Sequence, residues 1–222
     1  MKQLFIFEMA NNHMGSLEHG LKLIREFAEV KKEYDEFDFA IKFQFRNIDT
    51  FIHPDYKDRM DLKYVKRFTE TRLTREQFLT MKTEAENLGF LTVCTGFDED
   101  SVDLIEEMGF PIIKIASCSF TDWPLLTHIA GTNMPIIAST AGSTLEEIDN
   151  VVSFFTNRHK DLTIMHCIGE YPTETTNLQL NQIGLLAERY PDVKIGYSTH
   201  EDPNNPNIIP LAIAKGAQVF EK

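Results

Sequence analysis

Ile41-Lys42-Phe43-Gln44-Phe45 is a strand-length apolar run with two polar residues set into it. Side chains alternate faces along a strand, so Lys42 and Gln44 share one face while Ile41, Phe43 and Phe45 share the other. Two further stretches are built alike, Ile112-Ile113-Lys114-Ile115-Ala116-Ser117 and Ile136-Ile137-Ala138-Ser139-Thr140. Short apolar runs of this kind read as strands of a buried parallel sheet. A charged lysine there is costly unless an anion or a polar site receives it. Several such strands side by side imply one polar, cationic pocket at their carboxyl ends.

Outward from these runs, strand and helix signals alternate almost to the last residue. Strands are expected near 3–9, 38–45, 90–95, 112–117, 135–140, 162–167, 194–198 and 217–221. Helical stretches are expected at 16–33, 74–88, 98–108, 122–130, 144–156, 179–189 and 207–215. Ser16 precedes the first of them, Thr74 and Gln77 have capping-box spacing, and Ser143 and Thr144 offer hydroxyl caps before Glu146 and Glu147. Gly89 and Gly109 stand where a helix should end. This alternation predicts a single α/β domain over residues 1–222, a (β/α)8 TIM barrel. A doubly wound open sheet fits less well, because no glycine-rich dinucleotide turn follows the first strand. The chain reaches Phe220-Glu221-Lys222 on the eighth strand, so the expected barrel lacks its eighth helix. Residues 46–73 form a long connection after the second strand, expected to be a lid-like loop on the catalytic face.

The 222 residues are 42% hydrophobic and 25% charged, an ordinary soluble composition. The net charge of −12 argues against nucleic acid or an anionic membrane surface as partner. No segment approaches the ~20 apolar residues of a membrane span. Cys94, Cys118 and Cys167 are far apart and form no CxxC pair, so a reducing, cytoplasmic setting is expected and the three are read as small buried residues.

If the polar strand ends converge, the site holds Glu8, Asn12, His13, Lys42, Gln44, Thr95, Lys114, Ser117, Ser139, Thr140, His166, Tyr171, Ser198 and His200. Two lysines flanked by hydroxyls make a cradle for phosphate and carboxylate oxygens. The competing reading is that a strand-end lysine reaches solvent. His166 lies in an apolar run, where a histidine is more often a satisfied core group than a ligand. His200 shares strand parity with Ser198, though a single histidine is weak evidence for a metal.

Phe7-Glu8-Met9-Ala10-Asn11-Asn12-His13-Met14-Gly15 resembles the amino-terminal signature of the sialic acid synthase (N-acetylneuraminate synthase) family. Ile41-Lys42-Phe43-Gln44, Lys114-Ile115-Ala116-Ser117, His166-Cys167 with Glu170-Tyr171-Pro172-Thr173, and Gly196-Tyr197-Ser198-Thr199-His200 extend the resemblance along nearly the whole chain. It implies a (β/α)8 barrel followed by a small antifreeze-like domain. It also implies a transferase that condenses phosphoenolpyruvate with an N-acetylated aldose, usually N-acetylmannosamine, for sialic acid or other carbohydrate biosynthesis. Residue by residue, Lys42, Thr95, Lys114, Ser117, Ser139 and Ser198 would hold phosphoenolpyruvate, and Glu8, Gln44 and Tyr171 would face the sugar. His200 would be one of two histidines on a divalent metal, manganese or, in its place, magnesium or cobalt. A homodimer is implied for the full-length protein.

The chain departs from that pattern in three places. The second metal histidine would follow Glu221-Lys222, where the sequence ends, and the antifreeze-like domain would follow in turn. Gly169 stands where the family carries an asparagine. Three rival readings remain: a synthase acting on a diacetamido sugar of the legionaminic or pseudaminic type, a lysine Schiff-base aldolase, and a barrel that binds ligand without turnover.

Overall fold

The computed structural model describes residues 2–222. Eight strands, β1 (Leu4–Glu8), β2 (Asp38–Phe45), β3 (Leu91–Gly96), β4 (Ile112–Ile115), β5 (Ile136–Ser139), β6 (Leu162–Cys167), β7 (Lys194–Ser198) and β8 (Val219–Glu221), lie side by side in chain order. Every neighbouring pair is parallel, and β8 returns to β1 with Leu4 opposite Val219 and Ile6 opposite Glu221. The sheet therefore closes into a barrel, as the alternation predicts. Around it run α1 (Leu17–Lys31), α4 (Arg75–Asn87), α5 (Glu99–Glu107), α6 (Trp123–Gly131), α7 (Leu145–Thr156), α8 (Asn181–Arg189) and α9 (Ile208–Ala214). Two short helices, α2 (Ile48–Phe51) and α3 (Lys63–Glu70), belong to the long connection. Among the described residues no helix is long and apolar enough to cross a membrane.

Local chemistry sets the helix ends. The Ser16 hydroxyl accepts from His19 N–H, and Thr74 with Gln77 closes a full capping box. Thr144, rather than Ser143, caps α7, in a reciprocal box with Glu147. Gly89 and Gly109 take φ of +77° and +69° just past α4 and α5, the left-handed turn that glycine adopts without a Cβ clash.

Strand alternation sorts the side chains into two apolar regions. Ile41, Phe43 and Phe45 point outward and pack with Phe110, Met81 and the other helix-facing residues in the main core. Inward, Ile6, Ala40, Val93, Ile137, Met165 and Val219 form a separate layer that fills the lower barrel. Gly196 is part of that fit: a Cβ there would lie 2.6 Å from the Val219 carbonyl oxygen and 3.1 Å from Met165 Cε.

The connection after β2 is more ordered than a bare loop. It carries α2, a 3-10 turn at Pro54–Tyr56 and α3, and Arg72 pairs with Asp49 at 2.8 Å to tie its ends. These helices escape a sequence reading because neither Asn47 nor Leu62 makes a side-chain cap, and α3 buries only Val65.

Gly196→Ala should lower stability by about 1–3 kcal/mol, the cost of overfilling a packed core. A falling thermal midpoint with unchanged circular dichroism is the expected outcome; an unchanged midpoint would show that β7 and β8 separate freely.

Candidate active site

Above the apolar layer, every strand brings a polar or ionisable side chain inward, two residues on from an apolar one or facing one across the sheet. Glu8 comes from β1, Lys42 and Gln44 from β2, Thr95 from β3, Lys114 from β4, Ser139 from β5, Cys167 from β6, Ser198 from β7 and Glu221 from β8. The strands thus gather the two lysines at one end of the barrel, and the solvent-seeking reading of either lysine fails: Lys42 and Lys114 are 3% and 2% exposed.

Glu221 is the hub of this layer. Lys114 Nζ donates to its two oxygens at 3.0 and 2.9 Å, Lys42 Nζ lies 2.9 Å from Oε2, and Ser198 Oγ donates to Oε1 at 3.0 Å. Lys42 also pairs with Glu8 at 2.5 Å. The Glu8 carboxylate is held in turn by Ala10 N–H at 2.7 Å and Gln44 Nε2 at 3.3 Å. Ala10 takes a φ of +40°, an uncommon conformation without glycine, in the turn that folds its N–H back onto Glu8.

Burial and charge act against each other here. Burial favours the neutral form of all three groups. For Lys42 the Glu221 and Glu8 carboxylates together outweigh it, and its pKa is raised. For Lys114 burial prevails over the attraction of Glu221, and repulsion from Lys42 adds to it, so its pKa is lowered. For Glu221 burial is overcome by Lys114 and Lys42, which hold the carboxyl well below the usual range.

Two buried hydroxyls in the layer, Thr95 Oγ1 and Ser139 Oγ, have no hydrogen-bond partner. Ser117 opens a 3-10 turn after β4, where its Oγ accepts from Ala141 N–H at 3.1 Å and bridges two strand ends. At the rim, the exposed Tyr171 ring packs against His200 with centroids 4.0 Å apart, and His200 Nδ1 lies 4.0 Å from Cys167 Sγ. Burial lowers the His200 pKa and raises that of the Cys167 thiol.

Four expected site residues lie outside the charged layer. His166 falls between the inward residues Met165 and Cys167, so it faces the helices, where Nε2 bonds the Leu178 carbonyl at 2.8 Å and the ring stacks on Tyr197. Thr140, next to the inward Ser139, spends its hydroxyl on the Met165 carbonyl at 3.1 Å. Asn12 is exposed and donates to the Glu8 carbonyl at 3.2 Å. His13 is buried against Phe78, with Nδ1 accepting from Gly15 N–H at 3.1 Å; both residues shape the β1–α1 turn. Cys118, expected to be buried, is exposed at the mouth.

Glu221 is the charged residue of this layer that the sequence reading missed. Its signal was available in strand parity with the apolar Val219, but three residues of strand give alternation little to work with. His200 is the one imidazole at the rim, and among the described residues no three His, Cys, Asp or Glu side chains converge on a metal position. A lone imidazole is not the donor set that a divalent ion takes. The described residues by themselves do not fit the implied metal.

A structure of an N-acetylneuraminic acid (sialic acid) synthetase from Leptospira borgpetersenii is similar to this one: 30% identical, TM-score 0.86, over 100% of this chain and 73% of that one. A protein from Chromobacterium violaceum, provisionally named spore coat polysaccharide biosynthesis protein E, is 59% identical with a TM-score of 0.97, over 100% and 66% of the two chains. An N,N'-diacetyllegionaminic acid synthase from Legionella pneumophila is 30% identical over 236 residues, 100% of this chain and 64% of its own length. The chain spans about 60% of the length of the curated relatives it matches. Residues 37–222 match the NeuB family, a stretch that takes in seven of the eight strands and with them Lys42, Lys114 and Glu221; the chain belongs to that family.

Proposed function

We propose that the charged layer binds phosphoenolpyruvate and condenses it with an N-acetylated aldose, N-acetylmannosamine foremost, giving a nine-carbon 2-keto acid and inorganic phosphate. One observation carries this reading: two buried lysines stand beside two buried hydroxyls that have nothing to bond. Each ammonium has three N–H donors. Lys42 spends two on carboxylates, and Lys114 directs its contacts to a single carboxylate. A free N–H on each lysine, with Thr95 and Ser139, and with Ser117 and Ser198 at the edge, supplies donors for a phosphate and a carboxylate together. The names of relatives that make sialic and legionaminic acids support the same class of product.

In the reaction, C3 of phosphoenolpyruvate attacks the aldehyde carbon of the open-chain sugar, and the aldehyde oxygen takes up a proton. The cationic C2 adds water, which gives up a proton, and the tetrahedral centre expels phosphate to leave the 2-keto group. Lys42 and Lys114 lie where negative charge collects on the departing phosphate, a fixed electrostatic contribution that needs no rearrangement. Glu8, half-buried at the open side of Lys42, is placed to orient sugar hydroxyls or to carry a proton. Gln44 and Tyr171 border the acceptor's side of the pocket. A diacetamido sugar of the legionaminic type is the alternative acceptor, and side-by-side assays of the two sugars would separate them.

Phosphoenolpyruvate should raise the thermal midpoint of the chain saturably, and Lys114→Met should abolish that shift while the far-ultraviolet spectrum is unchanged. A shift that survives the substitution removes Lys114 from the site. Glu221→Ala should cost about 3–5 kcal/mol, because it leaves buried ammonium groups uncompensated. Since the folded pKa of Glu221 is depressed, its contribution to stability is complete above the ordinary carboxylate value and is lost progressively as pH falls from there through the lower folded pKa. Denaturation series from neutral pH down to about pH 2 should therefore show a steeper acid decline in the native chain than in Glu221→Gln. Parallel declines would mean that the carboxylate is not held ionised by the lysines.

A further inference from the structure

Beside the charged layer, a cavity of about 260 Å³ opens between the end of β2, the β1–α1 turn and the helices α3, α4 and α5. His13 and Gln44 line one side, and Arg46, Phe68, Phe78 and Ser101 line the rest. We propose that this cavity is a subsite for the far end of the acceptor, in which Arg46 receives an oxyanion, a phosphate or carboxylate group, carried by the sugar. The inference rests on the condensation proposed above and narrows its second substrate, from the neutral sugar named there to an anionic derivative of it.

Arg46 is an unusual cation in this protein. Its guanidinium carbon lies 4.4 Å from the ring centroid of Phe68 and 3.9 Å from that of Phe97. Its N–H donors lie in the plane of the guanidinium, so what it can offer a ligand is the edge. One edge donor, Nη2, bonds Gln44 Oε1 at 2.6 Å, and the buried Nε N–H has no acceptor. Among the described residues no carboxylate pairs with Arg46, whereas the other two arginines lining the cavity, Arg72 and Arg75, pair with Asp49 and Glu107, both at 2.8 Å. Burial pushes the Arg46 pKa down to about 10, which leaves it charged at neutral pH. The nearest carboxylates, Glu8 and Asp98, act on it only from a distance; a partly buried cation with no carboxylate in contact is costly, and the planar fork of donors matches the oxygens of a carboxylate or phosphate.

The cavity is also wired to the reacting centre. Arg46 orients Gln44, Gln44 donates to Glu8, and Glu8 pairs with Lys42. A sugar with its aldehyde above Lys42 would extend past Gln44 and bring its other end to Arg46. Anchoring the 46–73 segment through Phe68 would require the ring contact only; it gives no reason for a buried Nε N–H without an acceptor.

The test is calorimetric titration of the chain, saturated with phosphoenolpyruvate, with three acceptors: N-acetylmannosamine, its 6-phosphate and N-acetylmannosaminuronic acid. At least one anionic form should bind tenfold or more tightly than the neutral sugar, and which one identifies the oxyanion. Arg46→Met and Arg46→Lys, the second keeping charge but losing the fork, should remove most of that preference, each variant being titrated after saturation with phosphoenolpyruvate at its own affinity. Equal or weaker binding of both anionic forms, or a preference that survives in a folded Arg46 variant, overturns the subsite while the condensation stands. Failure of the native chain to bind phosphoenolpyruvate overturns both readings.

Discussion

One carboxylate, Glu221, sits between two ammonium groups, and the upper half of the barrel is arranged around it. Taking two lysines out of water costs several kcal/mol for each ion, and ion pairing offsets that cost only when geometry and hydrogen bonding are good. Here Lys42 has two carboxylates and Lys114 has half of one, an unequal division that explains why their pKa values move in opposite directions. The four charged groups cancel formally, yet the donors outnumber the acceptors they meet. The layer is neutral to the fold and still short of oxygen atoms, which is the condition of a site that takes an anion.

The apolar layer beneath makes this arrangement possible. Ile6, Ala40, Val93, Ile137, Met165 and Val219 close the barrel below the lysines, so the charges have no water underneath. Gly196 lets β7 and β8 come close enough for Val219 to fill its place, and the same strand then brings Glu221 inward two residues later. A methyl group in the lower layer would therefore be felt in the charged one.

The barrel was legible because parallel strands buried on both faces leave long apolar runs, and the helices between them carry caps of ordinary chemistry. The face assignments of Lys42 and Gln44 followed from alternation within a clean eight-residue strand. The same alternation, applied to Met165-His166-Cys167 and to Ser139-Thr140, would have put His166 and Thr140 on the outside. Residue type had drawn attention to them, and type says nothing of direction. Glu221 was hidden for a different reason, since its partners Lys42 and Lys114 are distant in sequence and its own strand is three residues long. Arg46 was passed over because its surroundings, Phe68 and Phe97, come from segments that only the folded chain brings together.

The seam between β8 and β1 gives the charged layer a second part to play. Lys114 and Glu221 are 107 residues apart, and they meet only when the last strand docks. A partly wound barrel would hold Lys42 and Lys114 near an apolar layer with their main counter-charge missing, a state penalised by desolvation without compensation. Strand closure and charge neutralisation thus become one event. The chemistry that prepares the barrel for an anion also sharpens its folding into an all-or-none choice, because intermediates with seven strands in place are the ones that the buried lysines disfavour.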